Sequence, residues 1–153
     1  MEFLRTKGKQ IVTESGKPIY LRGTCVGGWM NMENFINGFP GTETSLREHM
    51  ELRLGKEKGR LFFDQMIDNF LAEDDIRFIK ELGSTCVRLA VNYRHFEDDE
   101  HPFVYKEKGF ELLKRIVKLC EKYELYVILD MHAIQGWQNS HWHSDNDRGI
   151  SLF

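Results

Sequence analysis

Tyr126-Val127-Ile128-Leu129-Asp130-Met131-His132 reads as an apolar strand that ends in a carboxylate and an imidazole. The loop after it is rich in Trp, His, Asn and Gly. Burying a polar group is costly unless it is partnered, so strands seldom finish this way without a site to serve. An earlier stretch, Thr85-Cys86-Val87-Arg88-Leu89-Ala90-Val91-Asn92, repeats the pattern with an arginine. Two strands that aim polar side chains at one mouth predict an active-site rim.

Between and around these strands the apolar spacing is helical. Leu112, Leu113, Ile116, Val117, Leu119, Cys120 and Tyr123 form a wide stripe, with Lys114, Lys118, Glu121 and Lys122 outside it. Ile76, Ile79 and Leu82 predict a helix over 74–82 that Gly83 stops. Upstream, Gln10-Ile11-Val12, a turn at Ser15-Gly16-Lys17, and Ile19-Tyr20-Leu21 predict a β-hairpin. A short strand over 21–26 follows and ends at Gly27-Gly28-Trp29. The excursion from 30 to about 70 holds two weaker helical patterns, 45–54 and 60–70, and is too long for a plain loop. Ile150-Ser151-Leu152-Phe153 reads as the first turn of another helix.

Strand, helix, strand, helix, strand with near-continuous apolar strands predicts a parallel sheet covered by helices. Functional groups at strand C-terminal ends suit a (β/α)8 barrel or an open doubly wound sheet. The Gly-rich phosphate turn of a dinucleotide-binding sheet is absent, since Gly27-Gly28 alone does not make one. The expected fold class is therefore α/β: the N-terminal part of a (β/α)8 TIM barrel, about three βα units preceded by a β-hairpin. A complete barrel needs on the order of 250 residues, against 153 in this sequence. Residues 1–153 are expected to form a single, incomplete barrel domain.

Composition excludes several classes. Twenty-four acids against 21 bases give a net charge of −3, too mild for a nucleic-acid or anionic-membrane partner. No apolar run approaches the ~20 residues of a membrane span. Met1 to Lys9 has no apolar core of a secretory signal, so the expected setting is cytoplasmic, with a secreted form as the alternative. Cys25, Cys86 and Cys120 lack metal-ligand spacing and are expected as reduced core fillers.

At the strand ends the sequence resembles glycoside hydrolase family 5, the cellulase and exo-β-glucanase family of clan A. Lys17-Pro18-Ile19-Tyr20-Leu21-Arg22-Gly23-Thr24 resembles the family's GKPVVLRGVN segment at its first strand. Gly27-Gly28-Trp29 followed by Glu33 resembles the GGWL…E segment of the exo-glucanase branch. Val87-Arg88-Leu89-Ala90 with Asn92-Tyr93 resembles VRIP…Y, with Ala90 in place of proline. Ile128-Leu129-Asp130-Met131-His132 resembles LDLH, and Gly136, Gln138 and Asn139 resemble PGxQN with Gln135 for proline. Five pieces in order at fitting spacings make a specific signal.

The resemblance implies retaining hydrolysis of β-glycosidic bonds by two glutamates about 5–5.5 Å apart, through a covalent glycosyl-enzyme. In the family these lie on the fourth and seventh strands, beyond the three strands expected here. The run Glu97-Asp98-Asp99-Glu100 is no substitute, because a like-charged run on a polar loop is expected as solvated surface. Arg88 resembles the arginine beneath the nucleophile, where a guanidinium lowers the carboxylate's pKa and fixes its orientation. Its other reading is a structural ion pair with Asp130, which itself is expected to support its neighbours. His132 resembles the histidine that contacts sugar in the −1 subsite; its other reading is a core histidine bonded to backbone.

Trp29, Glu33, Asn92, Trp137 and Asn139 are the expected substrate-binding residues. The tryptophans can stack on pyranose faces or fill core, and Glu33, Asn92 and Asn139 can bond sugar hydroxyls. His141-Trp142-His143 with Asp145 and Asp147 invites a metal reading. Gln138-Asn139-Ser140 precedes that pair, so the histidines do not sit on a rigid apolar strand, and no metal or other cofactor is expected. The partner implied is a β-linked oligo- or polysaccharide or glucoside. Two rivals stand beside a hydrolase of this family: a non-catalytic carbohydrate-binding remnant, and a metal-dependent barrel hydrolase using His141 and His143.

Overall fold

The computed structural model describes residues 1–136 together with His143 and Asp145. Strands β1 (Leu4–Lys7) and β2 (Gln10–Thr13) pair antiparallel, with Lys7 opposite Gln10 and Gly8 turning the chain at φ +60°. The hairpin thus lies one segment earlier than the sequence suggests. The expected return arm makes only a bridge between Val12 and Pro18 and a bond from Ile19 N to Ile11 O at 2.9 Å. Pro18 has no N–H to give to a ladder.

Strands β3 (Gly23–Val26), β4 (Cys86–Asn92) and β5 (Tyr126–Ala133) form a parallel sheet with β4 in the centre. Parallel neighbours need long crossovers. Between β3 and β4 run α1 (Asn34–Asn37), α2 (Glu43–Leu54), α3 (Lys56–Phe70) and α4 (Glu73–Glu81); between β4 and β5 run a 3₁₀ turn (Tyr93–His95) and α5 (Glu107–Lys122). Helix α2 begins ahead of its apolar pattern because Thr42 Oγ1 caps it, accepting from Ser45 N at 3.2 Å. Gly55, at φ +84°, separates α2 from α3.

Strand alternation sorts the side chains. Val87, Leu89 and Val91 fall on one face and join Ile76, Ile79, Leu112, Ile116 and Cys120 in the main core. Burying each of the large aliphatic side chains here contributes about 1.5–3 kcal/mol. Leu82 ends α4 but stays exposed, outside that core. On the opposite face the ladder sets Cys25 against Arg88 and Arg88 against Ile128, so Asp130 and His132 share that side. This arrangement is part of a TIM-barrel-like α/β fold. Among the described residues, no helix is long and apolar enough to cross a membrane.

Candidate active site

Arg88, on the central strand, bonds to side chains of both neighbouring strands. Its Nη2 donates to Asp130 Oδ2 at 2.6 Å and lies 3.2 Å from His132 Nδ1, while Nη1 donates to Cys25 Sγ at 3.1 Å. His132 Nδ1 is 2.9 Å from the same Asp130 oxygen. Nδ1 carries one hydrogen or none, so it cannot both donate to Asp130 and accept from Arg88. The shorter contact, to a carboxylate, assigns the donation to Asp130. Burial opposes the guanidinium's charge, but Cys25 and Asp130 outweigh it and hold the Arg88 pKa above its ordinary value. The cluster is open: the side chains of Arg88, Asp130 and His132 keep 41%, 26% and 26% of their exposure.

Glu33 closes on this cluster from the segment after β3. Gly28 turns the chain at φ +78°, and its N–H donates to Asn31 O at 2.9 Å. A Cβ on Gly27 would stand 2.6 Å from Ile36 Cδ1, so the tip of that α1 side chain would have to shift to admit a larger residue. Glu33 Oε2 meets His143 Nδ1 at 2.9 Å, and the His143 ring lies edge-on to His132 with centroids 6.4 Å apart. One ligand atom each from Glu33, His132 and His143 lie within 4.8 Å of one another.

Beside the open cluster stands a sealed one. Asn92, wholly buried, donates from Nδ2 to Asp145 Oδ2 at 2.8 Å and to Glu43 Oε2 at 3.4 Å. Arg94 donates to Asp145 and to Thr44 Oγ1, while Arg47 grips Glu43 Oε1 with Nε and Nη2 at 2.9 and 2.7 Å. Burial raises the Asp145 pKa, against the Arg94 charge that lowers it. His95 is nearby with Nε2 3.8 Å from Glu43. Burial and then the cations Arg47 and Arg94 push its pKa down to about 3, so it is neutral and the contact is no ion pair.

The expected site residues therefore divide. Arg88, Asp130, His132 and Glu33 come together. Trp29 does not offer a stacking face: it is fully buried in the core, and its Nε1 donates to Ile67 O at 3.0 Å. Asn92 faces carboxylates and not open solvent. Trp137, Asn139, His141 and Asp147 lie outside the described residues, as does the expected helix start at 150–153. Of the acidic run, Glu97 accepts from Gln135 and Asp99 from Tyr93, so these are loop braces and not free solvated charges. All three cysteines are free, but Cys25 is an exposed neighbour of Arg88 and not a core filler. Glu43, Arg94 and His95 went unmarked in the sequence because nothing local distinguishes them from solvated helix and turn residues. A hollow of about 540 Å³ that includes Thr13, Tyr20, Thr85 and Tyr126 opens at the other, N-terminal end of the sheet, away from Asp130 and His132.

The profile of the Cellulase (glycosyl hydrolase family 5) family matches residues 13–153. The chain belongs to glycoside hydrolase family 5. A β-xylosidase of Phanerodontia chrysosporium is 45% identical over the whole of this family 5 chain, which spans 32% of that protein's length. A probable glucan 1,3-β-glucosidase D of Neosartorya fischeri is 31% identical over 85% of the chain and 16% of its own length. Endoglucanase C of Acetivibrio thermocellus is 37% identical over 52% of the chain and 23% of its length. The crystal structure of an endogalactoceramidase superposes with a TM-score of 0.59 at 18% identity, over 88% of this chain and 23% of that one, and shows the shared fold. The family 5 chain therefore spans about a third or less of each of these relatives.

Proposed function

We propose that residues 1–153 are the N-terminal portion of a retaining (β/α)8 glycoside hydrolase acting on β-linked glucosides or β-glucans. The observation that carries this reading is the interlock of Arg88, Asp130 and His132 on the open face of the sheet, with Glu33 closing on it. In this reading Asp130 fixes the imidazole, Arg88 stands ready beneath an incoming nucleophile carboxylate, and His132 and Glu33 bond hydroxyls of the sugar in the −1 subsite. Trp137 and Asn139 belong to the loop expected to line the same subsite. The acid/base and nucleophile glutamates come from strands further along the polypeptide, and this stretch supplies the sugar-binding floor. The free thiols support a reducing, cytoplasmic setting.

The likeness to a β-xylosidase widens the candidate substrates to β-xylosides, which lack only the hydroxymethyl group of glucosides. The test uses a polypeptide that carries the remaining strands, assayed with nitrophenyl β-glucoside, β-xyloside and gluco-oligosaccharides. Hydrolysis of one of these, lost in Arg88→Ala, is the expected result. Oligosaccharide binding with no turnover on any of them would favour the carbohydrate-binding reading instead. The 153-residue chain alone is expected to release no nitrophenol above blank.

A further inference from the structure

We infer that Glu33, His132 and His143 bind a zinc-class divalent cation, and that this cation competes with sugar for the site. Two imidazoles and a carboxylate are the donor set that zinc takes when it keeps one position open. Hard cations such as calcium and magnesium prefer oxygen donors alone, so they are poor candidates. Around tetrahedral zinc, bonds of about 2.0–2.2 Å place ligand atoms roughly 3.3 Å apart. The three donor atoms already lie within 4.8 Å of one another, so modest side-chain rotations close the set.

Two further features favour a cation over an accidental cluster. Glu33 retains only 10% of its side-chain exposure, so its carboxylate is already largely stripped of water. His132 also has a carboxylate on its Nδ1, with Asp130 Oδ2 at 2.9 Å. A carboxylate behind a histidine fixes the ring and raises its basicity as a metal ligand. Arg88 in turn holds Asp130 from 2.6 Å. The arrangement is therefore a ligand triad with a second layer built behind one member. The cation takes no part in hydrolysis. It occupies the position where a sugar hydroxyl would meet His132 and Glu33, so it blocks the site.

The metal binding stands on this geometry alone; the competition with sugar rests on the proposed function. Zinc chloride titrated into chelator-stripped protein, followed by calorimetry, is expected to show one zinc per chain. Glu33→Gln and His143→Ala abolish that binding while circular dichroism stays unchanged. Asp130→Asn weakens it about 10–100-fold although Asp130 is not a ligand. His101→Ala, on an exposed surface pair with Asp98, leaves it intact. His143 sits on a loop and keeps 40% exposure, so its variant carries the test if the Glu33 variant misfolds. Absence of saturable binding, or binding indifferent to His143→Ala and Asp130→Asn, would overturn the inference. A cellobiose or xylobiose titration with and without zinc then reads the competition separately: zinc binding without sugar binding would sink only the sugar reading.

Discussion

Arg88 with Asp130 and Arg94 with Asp145 are the same chemical pair, in both cases an arginine on or just after β4 gripping a carboxylate. Their surroundings differ. Arg94 keeps 26% of its side-chain exposure but Asp145 only 3%, and Thr44 N–H, Asn92 and Arg94 all donate to the Asp145 carboxylate. Arg88 and Asp130 retain 41% and 26%, and they share their contacts with an imidazole and a thiol. The more buried carboxylate has three donors on it already, so it serves to hold α2 and Asp145 against the end of β4. The open pair keeps solvent-facing donors and acceptors, which is what a sugar hydroxyl needs. Exposure, and not residue type, separates a brace from a site.

The largest effect is expected at Asp145. Asp145→Ala takes the carboxylate from Arg94, Asn92 and Thr44 N–H, and removing one member of a buried pair costs up to about 3–5 kcal/mol. Asp130→Ala, on the open pair, is expected to cost less than about 1 kcal/mol. Urea denaturation of both variants checks the ranking; equal losses would erase the distinction.

Acid tests the same brace through His95. Its pKa falls from the ordinary 6.5 in the unfolded chain to about 3 in the fold. The unfolded state therefore binds the proton first as pH drops, and the fold loses stability between those two values, by about 1.4 kcal/mol per pH unit. The contribution is intact above pH 6.5. His95→Gln, which cannot titrate, flattens that limb in denaturation curves recorded across the acid range. An unchanged slope would show that His95 is not buried as a neutral ring.

The open cluster is probed by affinity. Asp130→Asn removes the charged acceptor that orients His132 and so weakens about one hydrogen bond from His132 to the sugar, worth about 0.5–1.5 kcal/mol, or roughly two- to twelvefold in affinity. Binding of a gluco- or xylo-oligosaccharide is expected to weaken by that factor while the melting temperature barely moves. The smallest effect belongs to the surface pair of Lys108 and Asp64, 2.9 Å apart with both side chains more than half exposed. Asp64→Asn changes stability by less than about 1 kcal/mol and leaves sugar binding untouched.

Much of this division was legible in the sequence, because strand alternation is local. Once β4 and β5 are recognised as parallel neighbours, Arg88, Asp130 and His132 must share a face. The helices were readable for the same reason, since the stripe from Leu112 to Tyr123 needs only its own spacing. What was not readable depends on distant partners. Trp29 follows a glycine pair at a strand end, where it looks like a platform, and only Ile67, on α3, shows that it belongs to the core. Asn92 reads as a mouth residue until Glu43 and Asp145 arrive from remote segments. The hairpin slipped because Pro18 interrupts a run whose apolar pattern is otherwise a good strand.

Histidine ring resonances give the most direct test of the central claim, since they report both clusters in one experiment. On titration with cellobiose or xylobiose, the His132 and His143 signals are expected to move together while His95, buried in the brace, stays still. A saturable response at His95 with none at His132, or no response at any of them in protein that binds the sugar, would contradict it.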